Sequence, residues 1–103
     1  MSIDIGAKRG AIIRAIKAHL LAINKGAYDP DKTAADYQIT AANFDQFLLG
    51  IHLLLKRGNP PRDPPMDLGI PDLKPEVVRK WYAFTLSGLA LEIAKLPIRG
   101  GDV

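Results

Sequence analysis

Proline is concentrated in one part of this chain, because six of its eight prolines fall between positions 60 and 75. Proline lacks a backbone N–H and has a fixed φ angle, so neither a helix interior nor a sheet interior can form there. We expect an extended, polyproline-like connection over residues 59–73, here named the proline-rich arm. Met66, Leu68 and Ile70 alternate along it, which indicates that one side of the arm packs against the protein or against a partner.

Amphipathic helices are predicted on both sides of the arm, because apolar residues recur there at three- and four-residue intervals. Thr40 is suited to cap the start of one helix, and Gly58 is suited to end it. Asp29 followed by Pro30 indicates a short helical turn earlier in the chain. The sequence therefore predicts an all-α fold, a small bundle of three long helices plus one short helical turn, with the arm between the second and third long helices. The predicted single domain covers residues 1–103, with helices at about 4–25, 30–36 (short), 41–57 and 74–96.

Composition favours a globular protein and excludes several classes of site. Hydrophobic residues make up 48% of the chain and charged residues 24%, which is far from the composition of disordered proteins. The absence of cysteine excludes disulfides, zinc–thiolate sites and thiol catalysis. No apolar run approaches the ~18 residues of a membrane span, and the first residues lack the apolar core of a secretory signal. We therefore expect a cytoplasmic protein that does not associate with membranes.

Residues with catalytic or metal-binding chemistry are few and scattered. His19 and His52 are the only histidines, and they lack the spacing at which a helix presents two metal ligands. No two carboxylates are expected to converge in a cleft, as general acid–base catalysis requires, and no glycine-rich phosphate loop follows a strand. We therefore predict no catalytic residue, metal site, cofactor or small-molecule substrate, and we do not expect an enzyme.

The third long helix is predicted to be apolar on most of its circumference. Val77, Phe84 and Leu91 follow one another at seven-residue spacing, on a different face from the main apolar stripe. A helix of this kind is normally buried, and two neighbouring helices in a monomer cannot cover it completely. On the second long helix, two leucines point away from the main apolar face. The predicted protein interface therefore consists of Val77, Trp81, Phe84, Leu91, Leu49 and Leu53.

These features predict a small non-enzymatic helical protein that acts in assembly or as an adaptor, as a homo-oligomer or with another protein. The alternative is a basic nucleic-acid-associated protein that binds the phosphate backbone through its first helix. Residues 1–26 hold five cationic side chains and one acidic side chain, a balance of +4, whereas the whole chain has a net charge of +3. No helix offers a row of polar side chains that could read bases, so the assembly role is favoured. The candidate phosphate contacts are Lys8, Arg9, Arg14, Lys17 and Lys25.

Overall fold

The computed structural model describes residues 4–99, whose regular structure consists of four α-helices and three single-turn 3-10 helices. No β-strand occurs in this range, although two isolated β-bridges do. The prediction of an all-α protein is therefore confirmed. The α-helices are α1 (Ile5–Ala22), α2 (Phe44–Arg57), α3 (Pro75–Tyr82) and α4 (Leu86–Ala94), and the 3-10 helices are Ala35–Tyr37, Ala41–Asn43 and Ile70–Asp72.

Local hydrogen bonds determine where α1 begins and ends. The Asp4 carboxylate accepts a hydrogen bond of 2.7 Å from a first-turn N–H, so Asp4 is the N-cap. At the other end, Asn24 adopts a positive φ of 58°, and the N–H of Lys25 donates to the carbonyl of Leu20 at 2.9 Å. The helix consequently ends at Ala22, three residues before the end predicted from periodicity.

Thr40 starts the second helical segment as its sequence position predicts. Its hydroxyl accepts a hydrogen bond of 3.3 Å from the backbone N–H of Asn43. One 3-10 turn then leads directly into α2, so residues 41–57 are helical throughout. Gly58 ends the helix with a φ of +69° and a ψ of −179°, a conformation open almost only to glycine.

The prediction of one long helix over residues 74–96 is wrong, because the structure divides this segment into α3 and α4. Residues 83–85 separate the two helices. The Thr85 hydroxyl accepts a hydrogen bond of 3.2 Å from the N–H of Gly88 and so caps a new helix. The division lets α3 and α4 bury different faces against different neighbours.

The connector between α1 and α2 supports the start of α4. The N–H of Leu86 donates to the carbonyl of Lys32 at 2.8 Å, and the next N–H along α4 donates to the carbonyl of Pro30 at 3.1 Å. The helical turn predicted at 30–36 is reduced to the 3-10 helix Ala35–Tyr37, because the preceding backbone carbonyls bind α4 instead. A contact between such distant parts of the chain cannot be read from local periodicity.

One hydrophobic core joins all four α-helices, and α1 packs against both α2 and α4. The side chain of Phe44 on α2 packs on that of Phe47, with ring centroids 6.1 Å apart, and edge-on against that of Tyr82 on α3 at 5.3 Å. The Tyr82 hydroxyl donates to the carbonyl of Ile39 at 2.7 Å. The largest side chains that are almost completely buried are Phe44, Ile12, Ile16, Leu20, Leu48, Ile51, Leu86, Leu89 and Ile93.

The proline-rich arm lies against the helices. Met66, Leu68 and Ile70 are all buried. The N–H of Met66 donates to the carbonyl of Leu55 on α2 at 2.9 Å, and the N–H of Arg99 donates to an arm carbonyl at 2.7 Å. The arm is therefore attached on one side to α2 and on the other to the segment that follows α4.

Candidate protein interface

The predicted interface residues on α3 and α4 do not form one exposed stripe. Trp81 is only 5% exposed and belongs to the core, and Val77 and Phe84 are partly buried against that core. Seven-residue spacing places side chains on one face only while the helix is continuous, and the break at residues 83–85 ends that relation. Leu91 remains exposed on α4, but it is separated from the others by the change of helix. The prediction that Val77, Phe84 and Leu91 form one stripe is therefore wrong, because the three residues lie in different surroundings.

Leu49 and Leu53 form the exposed apolar part of α2. Their exposed fractions are 44% and 57%, and they lie one turn apart on the same side of the helix. The predicted outward orientation of both leucines agrees with this placement. Together they form a short apolar ridge, which we call the α2 ridge.

An apolar groove runs beside the α2 ridge, between α2 and the segment that leads into α3. Its volume is about 330 Å³, and Leu49 forms part of its wall. A second groove of about 340 Å³ shares Asp45, Pro75 and Val78 with it and continues toward Tyr82. The residues that line the first groove are Asp45, Leu48, Leu49, Ile70, Pro71, Leu73, Pro75 and Val78.

Charged side chains of both signs surround this apolar surface. Asp45 lies in the first turn of α2, and Lys56 and Arg57 lie in its last turn. All three are exposed, and none forms an ion pair within residues 4–99. Lys56 also lies near Asp67, whose pKa is lowered mainly by a hydrogen bond from the Gly69 N–H and further by neighbouring positive charges. The α2 ridge is therefore flanked by an acidic end and a basic end.

Two of the cations at the start of α1 are used within the fold. Lys8 is 7% exposed, and its ammonium group donates to the carbonyl of Leu96. The Arg9 guanidinium donates to the Ser87 hydroxyl at 2.6 Å. The Lys8 and Arg9 side chains therefore connect α1 to α4 and to the residues that follow it. They do not project into solvent, as phosphate contacts would.

Arg14 and Lys17 have partners in the protein as well. The Arg14 guanidinium donates to both carboxylate oxygens of Asp63 in the arm, with Nε–Oδ2 at 2.7 Å. This hydrogen bonding lowers the pKa of Asp63 and raises that of Arg14. Lys17 lies over the ring of Tyr28, with its nitrogen 5.8 Å from the centroid, and Lys25 is partly buried. The sequence-predicted phosphate contacts do not converge on one open cationic surface.

A further cleft lies where α1, the end of α2 and the start of the arm meet. It has a volume of about 370 Å³, and the Arg14–Asp63 pair lies in its wall. Alanine side chains of α1 and leucine side chains of α2 line it as well, together with Arg57, Gly58, Asn59 and Pro64. Asp63 is the only acidic side chain in this wall, and Arg14 already binds it, so the wall holds no second carboxylate that could form an acid–base pair with it.

The two histidines occupy different packed environments. His19 is partly buried between the helices, with its ring 5.4 Å from that of Phe47, and burial lowers the pKa of its imidazole. His52 on α2 is buried, with an exposed fraction of only 7%. Within the described range, no three histidine, aspartate or glutamate side chains cluster closely enough to hold a metal ion.

The groove beside the α2 ridge could not be predicted from the sequence, because it exists only once the arm and α3 pack against α2. The alternation of Met66, Leu68 and Ile70 was the available signal, since it indicated that the arm packs against the protein or against a partner, without indicating which surface it would border. None of the α-helices described for residues 4–99 is long and apolar enough to cross a membrane. Comparison with known proteins gives no relative, because no protein family, curated protein or solved structure matches the chain significantly.

Proposed function

We propose that this chain is a small assembly or adaptor protein without enzymatic activity, and that it acts by associating with a second copy of itself. The observation that carries the proposal is the α2 ridge, Leu49 and Leu53, exposed beside an apolar groove on the same face. Apolar surface that continues from a ridge into a groove is typical of protein–protein contacts. The interface is thus assigned to α2 and the groove, not to Trp81 and Phe84.

The size of this surface favours a weak complex. Complete burial of a leucine side chain contributes roughly 1.5–3 kcal/mol, and about half of each ridge leucine is already covered, so each adds about 1 kcal/mol. Association also costs several kcal/mol in lost translational and rotational freedom. The groove must therefore be filled by the partner for a complex to persist. We expect a dissociation constant in the range of about 10 μM to 1 mM.

Nucleic-acid binding receives less support from the same structure. Lys8, Arg9 and Arg14 bind groups within the protein, so their charges are not free to replace counterions on a phosphate backbone. A titration of duplex DNA and of single-stranded RNA at several salt concentrations tests this alternative. Tight binding that weakens steeply with salt would favour it over self-association.

The leucine ridge can be tested with a double variant, Leu49→Lys with Leu53→Lys. About half of each side chain is already exposed, so lysine is expected to keep the fold and the far-UV circular dichroism. Two lysines on each copy would introduce repulsion and remove the apolar contact, so self-association measured by light scattering should weaken at least tenfold.

A matched control is Leu21→Lys, which changes an α1 leucine that is 63% exposed to the same residue type. This variant should associate like the unchanged protein. If the α2 double variant and the α1 control show the same concentration dependence as the unchanged protein, the α2 ridge is not the interface.

A further inference from the structure

The exposed side of α2 has a charge pattern that is complementary to itself when the helix is reversed. At about 100° per residue, Asp45, Leu49, Leu53 and Lys56 fall within an arc of about 80°. Along the helix axis, Asp45 lies at one end of this face and Lys56 at the other, about 16 Å apart. The two leucines lie between them. All four side chains are exposed.

We infer that two copies of the chain associate through their α2 helices, which run antiparallel. A two-fold axis passes between the two helices at the level of Ile51. This inference rests on the proposed function. In this register Leu49 of one copy meets Leu53 of the other, and Asp45 of one copy meets Lys56 of the other. The symmetry of the pair creates each of these contacts twice. One copy's apolar ridge and acidic end thus bind the other copy's ridge and basic end.

The groove supports the same register. Leu49 forms part of the groove wall, so the Leu53 side chain of the second copy, placed beside Leu49, lies over the groove opening. Leu73 and Val78 line the groove and supply further apolar surface for that side chain. The contact between the two copies therefore includes the groove of each copy as well as the four ridge leucines.

A parallel arrangement of the two helices is disfavoured by the same residues. A two-fold axis along the helix direction would bring Asp45 against Asp45 of the second copy and Lys56 against Lys56. Like charges placed opposite one another repel, and the dipoles of two parallel helices also oppose each other. The antiparallel arrangement replaces both repulsions with attractions.

Charge reversal distinguishes this arrangement from any other use of the α2 ridge. Asp45→Lys and Lys56→Asp, each studied alone, would create two repulsive pairs per dimer, so each should raise the dissociation constant at least tenfold. An equal mixture of the two variants should associate as a heterodimer within about threefold of the unchanged protein, because both pairs become attractive again. Sedimentation equilibrium measures all three samples, and circular dichroism verifies that each variant is folded.

Asp31→Lys is the matched control, since it makes the same change of charge at an exposed aspartate in the connector, where the neighbouring carbonyls bind α4. It should associate like the unchanged protein. The antiparallel inference is overturned if the mixture associates no better than either variant alone, or if neither single reversal weakens association. If association persists in those cases and is still lost with lysine at positions 49 and 53, only the register is wrong and the proposed function stands. A chain that does not self-associate overturns both.

Discussion

At the scale of single residues, close backbone approach explains several positions that hydrophobic patterning leaves open. A Cβ atom at Gly58 would lie 2.6–2.9 Å from backbone atoms of Asp63 and Pro65. Those atoms belong to the start of the arm, which folds back directly over the end of α2. Glycine is needed there both for its unusual dihedral angles and for its missing side chain. The sequence position identifies the helix end, but not the chain that lies against it.

Gly58→Ala should lower the free energy of unfolding by about 3 kcal/mol, because backbone strain and a clash with fixed backbone act together. Gly26→Ala is the control, since Gly26 also has a positive φ, of 106°, but nothing lies within 4 Å of its Cβ position. It should lose only about 1 kcal/mol, from strain alone. Urea unfolding measures both values. Equal losses would show that the arm does not lie tightly against Gly58.

His19 makes the stability of the protein depend on pH. Burial between Phe47 and Gly50 lowers the pKa of the imidazole below its value in the unfolded chain, which is about 6.5. The unfolded chain therefore binds more protons in this range, and the free energy of unfolding should fall as pH decreases from about 7.5 to 5. In His19→Gln, which cannot be protonated, the fall should be smaller. Identical pH profiles for the two proteins would contradict the buried environment of His19.

At the scale of secondary-structure elements, the arm depends on an ion pair as well as on its apolar residues. Arg14 on α1 binds the Asp63 carboxylate, and the backbones of Asn59 and Asp63 exchange two hydrogen bonds of 2.6 and 3.0 Å. The pair thus fixes a turn of the arm against α1. Arg99 and Asp72 form another pair between the arm and the chain after α4, but both of those side chains are largely exposed.

Asp63→Asn should lower the free energy of unfolding by about 1–3 kcal/mol, because it removes a charge-assisted pair at a buried carboxylate. Asp72→Asn, at the exposed pair, should change it by less than about 0.5 kcal/mol. Because the pKa of Asp63 is lowered by Arg14, its contribution is present above the unfolded pKa and is lost as pH falls below about 4. Chemical unfolding at pH 7 and pH 3 checks both points, and equal effects of the two variants at pH 7 would contradict the anchoring role of Asp63.

Elements defined by local chemistry could be predicted from the sequence, whereas elements defined by distant contacts could not. Thr40 determines the start of the second helix through its side chain, and Gly58 determines its end through its backbone conformation. The division of α3 from α4 depends in addition on carbonyls from the connector, more than fifty residues earlier. A threonine within an apolar helical segment can either continue the helix or cap a new one, and its surroundings decide which. Thr85 was for that reason predicted to lie within one continuous helix.

At the scale of the whole molecule, that division explains how so small a chain covers most of its apolar surface. One straight helix over residues 74–96 would have left a stripe uncovered, but α3 buries Trp81 while α4 buries Leu86, Leu89 and Ile93. The apolar circumference of residues 74–96 therefore does not make Trp81 an interface residue. Leu49 and Leu53 remain interface candidates, because their exposure on α2 does not depend on the break.

Self-association through α2 is tested most directly by sedimentation equilibrium of the unchanged protein, from about 10 μM to 1 mM. The chain has a mass of 11.2 kDa, and the average mass should rise from that value toward twice that value as concentration increases. The data should fit a single monomer–dimer equilibrium, because a two-fold contact closes after two copies. A mass that stays at 11.2 kDa over the whole range would contradict self-association through α2.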